Sequence, residues 1–329
     1  MATFCVTGSA GHLGEALTRT LRGRGDRVVG LDVLGSPWTT VTASVTDRDA
    51  VREALTGVDH VLHTATLHKP HVGSHTRQDF VDINVSGTLT VLELAAEAGV
   101  HSVVFTSSTS AFGRALSPAP GGPAVWITED VAPQVRNIYG ASKVAAEDLC
   151  ELAARDLGLP VVVLRTARFF PEADDRDDVR AAFTDANLKV NEFLHRRVDV
   201  ADVVDAHLLA AEQAPRLGFG RYVVSATTPF TPVDLPELAV DAPAVLARLL
   251  PGVVDEYARR GWRLPPTVDR VYDNARARRD LGWTPRYDFA TVLDLVATTG
   301  DPRSPLARAV GTKGYHPVPT GVYTTARRR

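Results

Sequence analysis

A glycine-rich turn near the start of the chain limits most strongly what this sequence can fold into. Thr7-Gly8-Ser9-Ala10-Gly11-His12-Leu13-Gly14 follows a short apolar run, Phe4–Thr7, and opens Leu13–Arg24, whose apolar residues have helical spacing. In such a strand–turn–helix unit, the first glycine permits the tight turn and the second lets the backbone approach a pyrophosphate. The third glycine lets the helix pack on the strand, and the helix N-terminus supplies amide donors to the anion. The turn therefore predicts a dinucleotide-binding unit.

The first half of the chain alternates short apolar runs with helical segments. Continuous Val and Leu runs are typical of strands that are buried on both faces of a parallel sheet. We expect strands at Phe4–Thr7, Arg27–Asp32, near Thr40–Val45, Val58–Leu62, Val103–Phe105, Val161–Leu164 and Arg221–Ser225, and helices at Leu13–Arg24, Ala50–Leu55, Phe80–Ala98 and Ala141–Leu157. With right-handed crossovers, this alternation predicts an α/β fold built on a doubly wound parallel (Rossmann) sheet.

The alternation stops after Leu164. Residues 171–186 are acidic and polar, and proline becomes frequent after residue 227. A chain of 329 residues is long enough for one large domain and a smaller one. We expect a Rossmann domain made of residues 1–168 plus about 196–226, and a discontinuous substrate-binding cap made of about 169–195 and 227–329.

Asp32 specifies which dinucleotide the turn would bind. It ends the predicted second strand, 18 residues after Gly14. A carboxylate there accepts hydrogen bonds from the adenosine ribose, whereas a 2′-phosphate would meet like charge. No arginine follows in Val33-Leu34-Gly35-Ser36 to accommodate that phosphate. The sequence therefore predicts NAD as the cofactor in preference to NADP.

Tyr139 and Lys143 stand four residues apart at a predicted helix start, and so on one face of the helix. A neighbouring ammonium, together with a positive nicotinamide ring, stabilises a phenolate and should lower a pKa that is ordinarily about 10. Tyr139 could then take a proton from a substrate hydroxyl as hydride leaves for the nicotinamide. Upstream, Phe105–Thr109 leaves a strand at its carboxyl end, where ligands bind in such sheets, and a serine there can hold the substrate oxygen.

Taken in this order, the glycine turn, the strand-end serine and Tyr-x-x-x-Lys resemble the NAD-dependent epimerase/dehydratase family, the extended short-chain dehydrogenases. The similarity covers most of residues 1–225, and it returns at Asn274–Pro285, which resembles that family's closing Leu-Gly-Trp-x-Pro element. The resemblance implies Ser108 as the catalytic hydroxyl beside Tyr139 and Lys143. Besides the turn and Asp32, the cofactor contacts it implies are Ser44, Val45, His63, Thr64, Ala65, Asn84, Tyr139, Lys143 and Thr166.

Departures from the family pattern narrow the expected reaction. Dehydratases of this kind carry Asp-Glu directly after the catalytic hydroxyl, whereas Thr109-Ser110 follow Ser108 here, which disfavours dehydration. Epimerases typically have an Asn near the substrate diphosphate where this chain has Arg168, and Arg binds phosphate or carboxylate equally well. The following Phe-Pro-Glu resembles uronate dehydrogenases. The substrate contacts that we expect are His68, Thr109, Arg168 and Arg196.

The resulting hypothesis is hydride transfer between NAD and a secondary hydroxyl or ketone of a sugar or sugar-like compound. A nucleotide-sugar epimerase is the alternative reaction. A dinucleotide-sensing regulatory Rossmann protein is the non-enzymatic alternative. Such a sensor would not need Ser108, Tyr139 and Lys143, so the presence of all three favours an enzyme.

Composition argues against several other classes. A net charge of -3 argues against nucleic-acid binding, which needs a concentrated basic surface. Two cysteines make no disulfide framework, and the histidines of His68-Lys69-Pro70-His71 and His75 share their spacing with no Cys or carboxylate, so no metal is expected. No apolar run approaches the roughly 20 residues of a membrane span. We expect a cytoplasmic protein, with the basic tail Ala326–Arg329 as a solvated terminus.

The expected assembly is a homodimer. In the family that the chain resembles, the helices that carry Asn84 and Tyr139 commonly pair with their copies. The second of these helices has the apolar residues Val144, Leu149, Leu152 and Ala153, more than one sheet face obviously needs.

Overall fold

Seven parallel strands form the central sheet of the computed structural model, which describes residues 1–174 and 176–313. The described residues contain nine strands, which are β1 (Thr3–Thr7), β2 (Arg27–Asp32), β3 (Val41–Thr42), β4 (His60–His63), β5 (Ser102–Ser108), β6 (Val125–Ile127), β7 (Val161–Thr166), β8 (Phe219–Val224) and β9 (Arg270–Tyr272). Their order in the sheet is β3-β2-β1-β4-β5-β7-β8, while β6 and β9 pair separately. The order reverses beside β1, and this confirms the doubly wound sheet. The tail 326–329 and the last part of the predicted cap lie outside the described residues.

Fourteen helices connect and cover the strands of the described part of the chain. They are α1 (His12–Gly23), α2 (Arg48–Ala54), α3 (Arg77–Val81), α4 (Gly87–Glu97), α5 (Ile138–Asp156), α6 (Asp177–Ala182), α7 (Asp185–Phe193), α8 (Val200–Leu217), α9 (Leu235–Leu238), α10 (Ala242–Leu249), α11 (Val253–Arg260), α12 (Ala275–Leu281), α13 (Phe289–Thr299) and α14 (Pro305–Val310). A π-helical turn, Asp82–Ser86, joins α3 to α4. The predicted helix at 80–98 is therefore three helical segments that follow one another directly.

The continuous Val runs are explained by two apolar clusters. Val104 and Val162 belong to one cluster, with residues of α1 and α8, and their neighbours Val103 and Val161 belong to the other, with residues of α2, α4 and α5. Successive side chains of a strand point to opposite faces of the sheet. Both faces are covered by helices, so every position of these strands is apolar.

A third apolar cluster lies outside the two sheet faces. It combines residues of β9, α7, α10, α11 and α13, which include Phe193, Tyr257, Val271 and Phe289. In contrast, α12, Trp283 and α14 contribute to the first cluster, beside α8. The chain after residue 227 is thus divided between a separate core and the sheet's own core.

One buried carboxylate attaches the Leu281-Gly282-Trp283-Thr284-Pro285 segment to α8. The indole Nε1 of Trp283 donates to the Asp202 carbonyl at 3.0 Å. The Asp202 side chain, which has no solvent exposure, accepts from the backbone amides of Arg286 and Tyr287, both at 2.9 Å. A residue in the first turn of α8 therefore fixes the path of a segment more than eighty positions away.

We expect Asp202→Ala to lower the free energy of unfolding by about 2–3 kcal/mol, because two backbone amides lose their acceptor. Asp205→Ala is the matched control on the same helix: Asp205 forms only an exposed ion pair with Arg286, worth less than about 1 kcal/mol. Urea denaturation of both variants gives the comparison. Equal losses in the two variants would show that the Asp202 contacts do not hold this segment.

Candidate active site

A cavity of about 960 Å³ lies at the carboxyl ends of β1, β2, β4, β5 and β7. Its lining begins at the glycine turn and Asp32, passes the ends of β4 and β5, and continues to the segment that follows β7. This edge, beside the reversal of strand order, is where ligands bind in open α/β sheets.

The glycine turn has the shape that a pyrophosphate needs. Gly8 has φ +74°, and a Cβ there would lie 2.7 Å from the Ala65 amide nitrogen. A Cβ on Gly14 would lie 2.0 Å from the Gly8 carbonyl oxygen, so close packing of α1 on β1 requires glycine. A Cβ on Gly11 would lie 3.1 Å from the Gly8 carbonyl oxygen. Gly11 lines the cavity beside His12 and Leu13, at the start of α1. The residues present therefore fit the pyrophosphate of a dinucleotide.

Two backbone amides hold the carboxylate of Asp32, the last residue of β2, in place. One carboxylate oxygen accepts from the Ala10 amide at 2.9 Å and the other from the Leu34 amide at 2.8 Å. Ser44 and Val45 line the cavity nearby, and the Ser44 hydroxyl is hydrogen-bonded to that of Thr46 at 2.8 Å. The arrangement matches the adenosine end of the predicted cofactor site.

Of the residues predicted along the dinucleotide, Thr64, Ala65 and Thr166 line the cavity, whereas His63 and Asn84 do not. The His63 ring is buried between the hydroxyls of Thr7, at 2.6 Å, and Thr88, at 3.0 Å, and burial lowers its pKa to about 3. His63 and Thr64 are consecutive at the end of β4, and it is Thr64 that lies at the cavity.

Asn84 lies in the π-helical turn behind the loop that follows β4. Its amide group accepts from the Leu67 amide and donates to the Leu67 carbonyl, both at 2.8 Å, and it donates to the Ser142 hydroxyl at 2.9 Å. Asn84 therefore connects this loop to α5. The structure assigns it a supporting position beneath the cavity wall.

Ser108, Tyr139 and Lys143 lie together on the cavity wall. Ser108 ends β5, and the other two residues lie in the first turns of α5, which packs beside it. The Lys143 ammonium donates to the Thr106 carbonyl at 2.8 Å and lies 4.6 Å from the centre of the Phe105 ring. The three residue types that the sequence assigned to catalysis are thus brought to one place.

The sequence predicts a lowered pKa for Tyr139, and this prediction is wrong when only the protein's own groups act on the phenol. Burial raises the pKa of Tyr139 to about 12, and a side-chain hydrogen bond with Ser108 opposes that rise only in part. Burial also lowers the pKa of Lys143 to about 7, although the negative charge of Glu147 acts to raise it. Desolvation dominates because both groups are enclosed. The positive charge of a bound nicotinamide ring would favour ionisation of the phenol.

Sequence reasoning missed a buried ion pair beneath these residues. Glu147, one turn after Lys143, accepts from the Ser107 hydroxyl at 2.5 Å and from two guanidinium nitrogens of Arg165 at 2.7 and 3.1 Å. Arg165 interrupts the apolar run of β7, and a charged residue in a strand buried on both faces needs a charged partner. That interruption was the available signal. The pair connects α5, β5 and β7, the elements that carry Tyr139, Ser108 and Thr166.

The cavity wall is also rich in arginine. The residues expected to contact the substrate, His68, Thr109, Arg168 and Arg196, line the cavity, and so does Arg270 from β9. Behind them, the buried Glu192 forms ion pairs with Arg168 at 3.2 Å, Arg196 at 3.0 Å and Arg197 at 2.7 Å. Burial by itself would raise the pKa of Glu192, but the three guanidinium groups outweigh burial and hold that pKa well below its usual range.

His195, which follows α7, does not line the cavity. Its ring Nδ1 is 2.9 Å from the Arg270 carbonyl oxygen. In the part of the chain that the structure describes, no three His, Cys, Asp or Glu side chains are arranged to hold a metal ion. Within that same part, no helix is both long and apolar enough to cross a bilayer.

Residues 4–224 match the NAD dependent epimerase/dehydratase family. The chain belongs to this family. It is 29% identical to sterol demethylase protein B of Methylococcus capsulatus, over 90% of this chain and 97% of that one. UDP-glucose 4-epimerase of Streptomyces lividans is 28% identical, over 88% and 94% of the two chains. The 3-beta-hydroxysteroid dehydrogenase of Mycolicibacterium neoaurum is 24% identical, over 86% and 87%.

Solved structures show the same fold. UDP-N-acetylglucosamine 4-epimerase from Bacillus cereus aligns with a TM-score of 0.64 at 18% identity, covering 91% of this chain and 98% of that one. A short-chain dehydrogenase/reductase superfamily protein from Agrobacterium tumefaciens, with bound NAD, aligns with a TM-score of 0.64 at 23% identity, covering 90% and 96%. The family depends on NAD, and NAD is the cofactor of this chain.

Asp32→Ala should weaken NAD binding at least about tenfold, because hydrogen bonds from the ribose to a carboxylate are lost, and should change NADP binding little. The wild-type protein should bind NAD at least about tenfold more tightly than NADP. Titration of both nucleotides measures this, with the exposed Asp49→Ala as the control. Equal wild-type affinities for the two nucleotides would contradict the assignment.

Proposed function

We propose that the protein transfers hydride between NAD and a secondary hydroxyl or ketone of a sugar or sugar-like substrate. The observation that carries the proposal is the placement of Ser108, Tyr139 and Lys143 on one cavity that begins at the glycine turn. A regulatory dinucleotide sensor would not need this group of residues. The coarser conclusion, an NAD-dependent enzyme family, rests on the sequence match over residues 4–224.

The three side chains divide the work of an oxidation. The Ser108 hydroxyl and the Tyr139 phenol hold the substrate oxygen, and the phenolate of Tyr139 accepts the hydroxyl proton as the carbonyl forms. Lys143, fixed by the Thr106 carbonyl, supplies positive charge beside the phenol in its protonated form. NAD, when bound, would supply the acceptor for the hydride that leaves the substrate carbon. In the reverse direction Tyr139 returns the proton to the ketone oxygen.

Dehydration fits the site less well than hydride transfer, and epimerisation is the alternative reaction. Dehydration is disfavoured, because Thr109 and Ser110 follow Ser108 where a dehydratase would need an acid. Epimerisation uses the same three residues, and the Streptomyces lividans relative is named as an epimerase. An epimerase would interconvert two sugar stereoisomers with no net formation of NADH, so the two reactions differ in a single assay.

A hydroxysteroid is the second candidate substrate. Two of the relatives are named as acting on sterols or steroids, and one of them aligns over 97% of its own length. The cavity wall also has an apolar part formed by Leu67, Leu116, Phe169, Phe170 and Val179. NADH formation with sugars, uronic acids, nucleotide sugars and 3β-hydroxysteroids would decide between the candidates.

We also propose that residues 169–195 and 227–313 form the substrate-binding cap of a Rossmann domain made of residues 1–168 and 196–226. Arg168 and Arg196, at the edges of these segments, and Arg270 within them line the cavity. The separate apolar cluster of α7, α10, α11 and α13 supports the division. The placement of α12 and α14 in the core beside α8 limits the cap to fewer helices.

Tyr139→Phe should lower turnover by roughly 10²–10⁴, the usual worth of a positioned base, and leave NAD affinity within a few-fold. The variant keeps the packing of the ring and removes only the proton acceptor. Lys143→Ala should reduce both NAD binding and turnover, and Ser108→Ala should have the smaller effect on turnover. Turnover and NAD affinity are measured for all three. Near-wild-type turnover in Tyr139→Phe would place the base elsewhere, with His68 the next residue to test.

We further propose a homodimer formed through α3, α4 and α5. Of the four residues predicted for this contact, Ala153 is buried in the core and Leu149 packs against it, whereas Leu152 is 40% exposed. Val81 and Leu89 are exposed on the helices beside it. Light scattering at micromolar concentration should give a dimer mass, which Leu89→Glu with Leu152→Glu should reduce to that of a monomer. Val233→Glu, at an exposed position elsewhere, is the control; a monomeric wild type would reject the proposal.

A further inference from the structure

The chain returns to the glycine turn after α14. Lys313, which follows this helix, lines the same cavity as Gly11. Its ammonium pairs with the carboxylate of Glu15, the residue that follows Gly14 in the first turn of α1. We propose that Lys313 is a cofactor-binding residue, which supplies a positive charge to the pyrophosphate of NAD.

Lys313 lies outside every part of the chain that resembles the family. The family match covers residues 4–224, and the closing element that resembles the family ends at Pro285. The motifs that indicate NAD binding therefore do not include this lysine. The contact concerns the cofactor, so it does not depend on which substrate reacts.

The packing of α14 brings Lys313 to this place. Val310, the last residue of α14, is buried in the first apolar cluster with residues of α1 and α8. The Asp199 carboxylate accepts from the Ser304 amide at 3.2 Å, and the Ser304 hydroxyl accepts from the Ala307 amide at 3.1 Å. The start of α14 is thus attached to the start of α8, and its end lies against the sheet core. Lys313 follows a helix that is fixed at both ends.

The surroundings of the Lys313 ammonium are unfavourable for a cation by itself. The first turn of a helix carries the positive end of the helix dipole, where acidic side chains are stabilised. The Lys313 side chain is only 19% exposed, so solvent screens this repulsion weakly. Glu15 offsets part of the charge, but its carboxylate also accepts from Arg19 at 2.6 Å. A pyrophosphate at the turn would add the negative charge that favours a second cation here.

His12 shows that the positive potential extends to the turn itself. Its ring lines the cavity and is buried, and neither ring nitrogen has a hydrogen-bond partner among the residues that the structure describes. Burial lowers the pKa of His12 to about 3, and the charges of Lys313 and Arg197 act in the same direction. A potential that disfavours a proton on the imidazole favours an anion at the same place. The turn therefore combines a polar side chain that lacks a protein partner with a potential that suits phosphate.

A purely structural ion pair makes a different prediction. If Lys313 served only to attach its segment to α1, Glu15 and Lys313 would be equivalent partners, and loss of either charge would have the same effect on nucleotide binding. If Lys313 binds the pyrophosphate, the two losses act in opposite directions. The lysine attracts the phosphates, whereas the glutamate repels them and competes for the ammonium.

The first test titrates ADP and adenosine into the full-length protein after removal of bound nucleotide, and heat is measured. Lys313→Met should bind ADP about tenfold more weakly than the wild type and adenosine within about twofold, because only a contact between charged groups is lost. Lys313→Arg should keep most of the affinity for ADP, since it keeps the charge. Glu15→Gln should bind ADP at least as tightly as the wild type. Arg308→Met, at an exposed position of α14, is the control and should match the wild type.

The second test separates a lost contact from a damaged fold. Between about 50 and 300 mM salt, the affinity of the wild type for ADP should fall more steeply than that of Lys313→Met, because salt screens the attraction between ammonium and phosphate. Equal weakening of ADP binding in Lys313→Met and Glu15→Gln would overturn the proposal. Equal salt dependence in the wild type and Lys313→Met, or unchanged ADP binding in Lys313→Met, would overturn it as well. Neither test involves turnover, so the outcome is independent of the proposed hydride transfer.

Discussion

The buried ion pair between Glu147 and Arg165 holds together the elements on which the active site depends. Removing both charges from water is costly, and only close geometry with further hydrogen bonds offsets that cost. Here Arg165 contacts Glu147 through two nitrogens, and the Ser107 hydroxyl donates to the same carboxylate. The pair lies where α5, β5 and β7 meet. It therefore joins the elements that carry Tyr139, Lys143 and Ser108.

A second buried glutamate has a different effect because its surroundings differ. Glu147 shares its charge mainly with one arginine, and Arg221 reaches it only at 3.5 Å, so that pair is close to neutral and serves to fix helix and strands. Glu192 forms ion pairs with three arginines, of which Arg168 and Arg196 line the cavity. The first glutamate therefore joins the elements that carry the proposed catalytic residues, and the second holds arginines at the cavity wall.

Local spacing shows which residues a turn or a helix brings together. Gly8 and Gly14 are required by contacts within the turn and with the segment after β4, and Tyr139 and Lys143 lie about one helical turn apart in α5. His63 and Asn84, which the family resemblance implied as cofactor contacts, do not line the cavity. Local spacing does not show whether such a side chain points into the cavity or packs against α4 and α5 beneath it.

By itself the sequence determined the doubly wound sheet, the glycine turn and NAD as the cofactor, because each depends on spacing within strand–helix units. It also indicated Ser108, Tyr139 and Lys143 as the candidates for catalysis. Tertiary structure alone decided the rest. The partners of Arg165 and Arg196, and the arrival of Arg270 from β9 beside Arg196, depend on long-range packing that no local pattern records. The same is true of the tyrosine pKa, because desolvation of a phenol is set by everything that encloses it.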